Sequence, residues 1–107
     1  MMLDLGNVKV HLRVRHSSED GYIEGLVAAA VVAFNDRTNR TLVGPDEELP
    51  DPVGNSLKIT KAIEQGILLL VGHWYVNRED VVIGTIATAL PKATEFLWQP
   101  YRWVNVG

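Results

Sequence analysis

The sequence predicts an all-α protein: three principal helices and a short C-terminal helix, with an extended β-branched arm before the last. Two apolar stripes carry that expectation. Tyr22, Ile23, Leu26, Val27, Ala30, Ala33 and Phe34 recur at three- and four-residue spacing, as do Ile59, Ile63, Ile67, Leu70 and Trp74. That is the period of helices with one buried face. Between the stripes, Gly44, Pro45, Pro50, Pro52 and Gly54 interrupt any period and mark a connection rather than an element. At 107 residues the chain is long enough for one core, so residues 1–107 are expected to form a single domain.

Composition narrows the function classes. Hydrophobic residues at 47% against charged residues at 21% describe a soluble globular chain rather than a disordered one. No cysteine is present, which excludes disulfides, thiolate metal sites and cysteine nucleophiles. The net charge of -3 gives no general attraction to DNA or to an anionic membrane. The opening MMLDLGNVKV lacks the basic region and apolar run of a signal peptide. The apolar stretches at Leu26–Phe34 and Ile67–Val71 are too short for a bilayer. No membrane contact is expected, and a cytosolic folding compartment is the default.

The first helix is predicted from Leu5 to Val14, with Val8 and Leu12 on one face. Gly6 and the valines weaken it, so a strand over Val8–Val14 competes. The second is predicted from Ser18 to Thr38, with Ser17 or Ser18 capping its start and Glu19 and Asp20 favoured by its dipole. Small residues from Ala28 to Ala30 allow another backbone to approach it closely. The stretch Thr41–Ser56 reads as an acidic loop, long for so small a domain, and either a solvated linker or a contact for a partner.

The third helix is predicted from Leu57 to Val76. Gly66 and Gly72 lie inside it and are expected where packing is close, since glycine costs helix propensity. Val81–Thr88 carries Val81, Val82, Ile83, Thr85 and Ile86 without helical period and reads as a strand or extended arm. Pro91 opens the final helix, with Ala93, Phe96 and Leu97 as its apolar face before Pro100 disrupts it.

Chemistry-bearing residues are sparse. The stretch VGHWYVNRED gathers His73, Trp74, Asn77, Arg78, Glu79 and Asp80, but His73 has no partner at H-x-x-x-H or H-E-x-x-H spacing. Those residues read as a structural anchor for a helix end, and neither a metal nor another cofactor is expected. Arg78, Glu79 and Asp80 are consecutive on a turn and point apart, and no nucleophile elbow, phosphate loop or dinucleotide fingerprint exists. No catalytic residue is assigned, and the chain is not expected to be an enzyme. Lys9, Arg13 and Arg15 are the one close basic group, expected to be a solvated face or a weak, sequence-blind contact to DNA phosphates. Trp98, Tyr101 and Trp103 crowd the C-terminal end, where some are expected at subunit contacts.

Taken in order, KVHLRVRHSSEDGYIEGLVAAA, AIEQGILLLVGHWYVNRE, VVIGTIATALP and a terminal PYR resemble the gp6-like head–tail connector (head completion adaptor) proteins of long-tailed phages and prophages. The likeness runs from Leu3 to Arg102. It implies a homo-oligomeric ring of about a dozen subunits at the virion head–tail junction, made in the bacterial host cytoplasm and monomeric or variably associated in isolation. Such a ring joins the portal protein to the next head-completion, stopper or tail protein, and DNA passes through its lumen unread. In this frame Ala28, Ala29, Ala30, the 81–86 arm, Trp98, Tyr101 and Trp103 are candidate oligomer contacts. Two departures stand out: the loop from Val43 to Ser56 is longer and more acidic, and GNVK replaces an acidic helix start such as EEAK. The rival reading is a small helical DNA-binding or regulatory protein, which requires a larger basic surface.

Overall fold

The structure, a computed structural model, describes residues 3–51, 54–77 and 91–102. Among these, four α-helices dominate, joined by a two-stranded parallel sheet. The first helix, α1, spans Leu5–Leu12. Asp4 caps it, its carboxylate accepting from the Gly6 N–H at 3.3 Å, and Val8 is fully buried. The helical reading therefore prevails over the strand. It stops two residues earlier than expected because Arg13 turns left-handed at φ 59°, letting the Val14 N–H reach the Lys9 carbonyl at 2.9 Å.

The second helix, α2, spans Asp20–Thr38 and buries Ile23, Leu26, Val27, Ala30, Phe34 and Thr38. Neither serine caps it. Ser18 bonds the His16 ring at 2.7 Å instead, and Glu19, at the cap position, makes no capping bond. At the other end the Thr38 hydroxyl donates to the Phe34 carbonyl at 2.7 Å, and Asn39 ends the helix at φ 56°.

The long connection is more ordered at its roots than the sequence suggested. Strand β1, Thr41–Val43, pairs in parallel with β2, Ser56–Lys58, with Leu42 opposite Leu57. The purely all-α expectation is corrected here to a mostly helical fold with a small sheet. Residues 44–55 between the strands match the dozen or so residues that a parallel crossover requires. Leu42 is buried, and its N–H is taken by the Asn35 side chain at 3.0 Å.

This pairing also shortens the third helix. Leu57 lies in β2, and α3 runs over Lys61–Val76. Thr60 caps it in an extended conformation, accepting from the Ile63 N–H at 3.3 Å. Ile63, Gly66, Ile67, Leu70, Val71 and Trp74 are all buried, so α3 is the central element, packed by α1, α2 and α4. Helix α4 spans Lys92–Trp98 and passes into a 3-10 turn at Gln99–Tyr101. Its buried face is Thr94 and Trp98, not Ala93 and Phe96, which are exposed. Of the expected face only Leu97 packs against the core, and Thr94 can be buried because its hydroxyl donates to the Gly66 carbonyl at 3.0 Å. The expected arm at Val81–Thr88 lies outside the described residues.

Candidate assembly surfaces

Ala28, Ala29 and Ala30 do not share a face. Successive helical residues turn by about 100°, which leaves Ala28 exposed, Ala29 half-buried and Ala30 fully buried. Ala30 is thus core. The outer face of α2 is instead Gly21, Gly25, Ala28 and Val32, all exposed, and a Cβ at Gly21 or Gly25 would meet nothing within 4 Å. On α4 the outer face is Ala93 and Phe96, with Phe96 75% exposed. Among the described residues, exposed Val10 on α1 and Val76 at the end of α3 complete the large apolar side chains at the surface of the helices.

Trp98, one of the candidate oligomer contacts, is closed within the subunit at 1% exposure. Its ring meets Phe34 edge-on, with centroids 5.2 Å apart and planes at 88°, and its indole N–H donates to the Ile63 carbonyl at 3.3 Å. Gly66 is the socket: a Cβ there would collide with the indole nitrogen and stand 2.8 Å from Trp98 Cδ1. Tyr101 is half-buried. Its hydroxyl accepts from Thr60 at 3.1 Å, and its carbonyl accepts from Arg40 Nε at 2.9 Å. These bonds tie the C-terminal turn to the start of α3 and the root of β1. Trp103, Arg78, Glu79, Val81, Val82, Ile83, Thr85 and Ile86 lie outside the described residues.

At the end of α3, Trp74 is buried while His73 and Asn77 are exposed. The Asn77 side chain and backbone N–H both donate to the His73 carbonyl, at 2.9 and 3.0 Å. The pair closes the last turn of its own helix. Among the described residues, no group of three or more His, Cys, Asp or Glu is placed to hold a metal, and no helix is long and apolar enough to cross a membrane.

The basic group divides. Lys9 bonds Asp20 at 2.8 Å with its side chain only 16% exposed, whereas Arg13 and Arg15 are exposed. With Lys9 committed to α2, two arginines remain of the expected patch. The sequence reading missed a cleft at the opposite end of α2. It has a volume of about 280 Å³ and is lined by Arg37, Thr38, Glu95, Trp98, Gln99 and Arg102. Arg37 and Glu95 face each other across it at 3.8 Å, both about half-exposed. Nothing in the local sequence signals it, because its walls come from two segments far apart in the chain.

The sequence profile of the phage gp6-like head-tail connector proteins matches residues 2–102. The match covers nearly the whole chain, and the chain belongs to that family. No curated protein and no solved structure matches it.

Proposed function

We propose that this gp6-like head-tail connector protein acts as a subunit of a closed ring of about a dozen copies, a head-to-tail assembly about one axis. The ring joins the portal protein to the next head-completion, stopper or tail protein and continues the channel through which DNA leaves the head. Its role is contact, not catalysis, and it requires no cofactor. DNA passes through the lumen by shape and charge alone, without base reading.

Family membership over residues 2–102 is the observation that carries this reading. The surface is compatible with it. The smooth outer face of α2 and the Phe96 face of α4 differ in shape and lie on different elements, as a head-to-tail contact requires. A two-fold contact would instead use one patch against itself. The division of the basic group, with Lys9 held by Asp20, weighs against a groove-reading DNA-binding protein, which concentrates cations on one reading element.

Cryo-electron microscopy of the intact particle tests the proposal. The expected result is a ring of this chain between portal and tail. Density for it in the tail tip or capsid shell, or its absence from the particle, overturns the connector role.

A further inference from the structure

The cleft at the C-terminal end of α2 and the acidic loop after β1 are complementary, and nothing in the fold described so far uses either. We infer that the cleft seats the acidic loop of a second copy of this chain. The inference rests on the ring reading only for the presence of a neighbouring copy.

The charges argue for this occupant. Asp46, Glu47, Glu48 and Asp51 are all exposed. Glu47 is turned inward, accepting from the Gly44 N–H at 3.3 Å. The carboxylates of Asp46, Glu48 and Asp51 make no hydrogen bond or ion pair among the described residues. In the cleft, Arg102 is exposed, and Arg37 stands 3.8 Å from Glu95. That separation is well beyond the 2.7–2.9 Å or so of a charge-assisted hydrogen bond, so an incoming carboxylate competes readily for Arg37. Copies with a net charge of -3 repel one another at a distance, and a local patch of opposite sign is what overcomes such repulsion and fixes register.

Shape agrees with charge. Leu49, 40% exposed, sits between the acids and next to Pro50, which restricts its backbone. At about 280 Å³ the cleft falls just below the range for small-ligand sites, roughly 300–1,000 Å³. It suits one or two side chains, with Leu49 toward the Trp98 wall and the flanking acids on Arg37 and Arg102. Loop and cleft are different surfaces, so the contact is head-to-tail and propagates around a ring.

The chain has no cysteine, so Leu49→Cys and Gln99→Cys give unique handles that leave every charge in place. Concentrated full-length L49C and tagged Q99C are mixed at low salt and treated with a short bismaleimide. The expected product is the L49C–Q99C heterodimer, in excess of either homodimer and of a control mixture with Ser17→Cys, exposed before the other end of α2. The double variant R37E/R102E is expected to lower its yield about tenfold, and adding E48R/D51R in the partner to restore most of it. Equal homodimer yields, or no excess over the control, overturn the inference, as does protection of Q99C by a duplex oligonucleotide, which makes the cleft a phosphate site. If R37E/R102E loses its helical circular dichroism, the cysteine pairs decide alone. A closed assembly without this cross-link removes the contact and keeps the ring, whereas the cross-link in open chains, with no ring in the particle, does the reverse.

Discussion

Around Gly66, α3 meets α4 through a dry joint: an indole in a glycine socket and a buried threonine hydroxyl on a carbonyl. About two and a half turns further on, at Tyr75, the same helix meets the start of α2 through polar groups. There the Tyr75 hydroxyl donates to Glu19 at 2.9 Å, the ring lies 6.4 Å from that of Tyr22, and Lys9 of α1 pairs with Asp20 next to Glu19. These residues are all half-buried. The first joint is held by fit and the second by charge. Close packing in a core cannot relax around a changed atom, while a polar corner exchanges its partners with water at small net cost. Residues 91–102 are therefore expected to stay fixed on the core, and the corner where α1, α2 and the end of α3 converge to tolerate adjustment.

Removing the indole is the largest perturbation of this comparison. Trp98→Ala is expected to destabilise the protein by about 3–5 kcal/mol, measured by urea denaturation followed by circular dichroism. A loss below about 1 kcal/mol, the scale of a surface change, means that α4 is not docked as described.

Next come two glycines that look alike in the sequence and differ in the fold. Gly66→Ala drives a methyl into an indole already bonded to Ile63 and packed on Phe34, and overpacking of this kind costs about 1–3 kcal/mol. A Cβ at Gly72 meets the exposed His11 ring at 3.5 Å and the Leu12 side chain at 3.9 Å, both ordinary contacts. Gly72→Ala is therefore expected to stabilise by up to about 1 kcal/mol through helix propensity. Opposite signs from two equivalent substitutions would sharpen the comparison; equal signs would break it.

That pair also shows how far the sequence carries. The stripes of α2 and α3 were legible because each repeats over several turns, while close packing was expected at both Gly66 and Gly72 and is tight only at Gly66. The partner of Gly66 was not legible. Trp98 arrives from a segment more than thirty residues on, and an aromatic near the terminus reads equally as core or as interface. The start of α3 was misplaced because Leu57 and Ile59 continue its apolar pattern. Only pairing with β1 reveals them as extended. Strands as short as Thr41–Val43 and Ser56–Lys58 hold too few residues to show a period of two. Ala30 was read twice, on the buried stripe with Val27 and Phe34 and among the small-residue contacts, and the structure keeps only the first. The cleft of Arg37, Glu95 and Arg102 left no trace at all, since single charged residues on separate elements form no local motif.

At the polar corner the expected effects are smaller. Tyr75→Phe keeps the ring against Tyr22 and deletes the hydroxyl that Glu19 accepts from. A loss of about 1.5 kcal/mol is expected, the lower end for a hydrogen bond to a charged group. A loss on the scale of Trp98→Ala would show the corner to be as rigid as the socket.

The smallest effect belongs to Lys9. Its ammonium lies 2.8 Å from Asp20 and joins α1 to the first turn of α2, where the helix dipole also favours the carboxylate. Asp20 is about one-third exposed, so water and salt screen the pair, and measured values for such pairs are about 0.2–1 kcal/mol. Lys9→Met keeps the aliphatic stem against the protein and deletes only the charge. Its cost is expected at the lower end of that range in dilute buffer. In 1 M salt it should vanish, because the screening length there is about 3 Å, comparable to the separation of the charges. The measurement is a pair of urea titrations of wild type and variant at each salt concentration, compared by midpoint at constant slope. A difference that survives in high salt would mean that the Lys9 contact is shielded from solvent. The N-terminal corner would then be a second fixed joint, and the distinction between the two ends of α3 would fall.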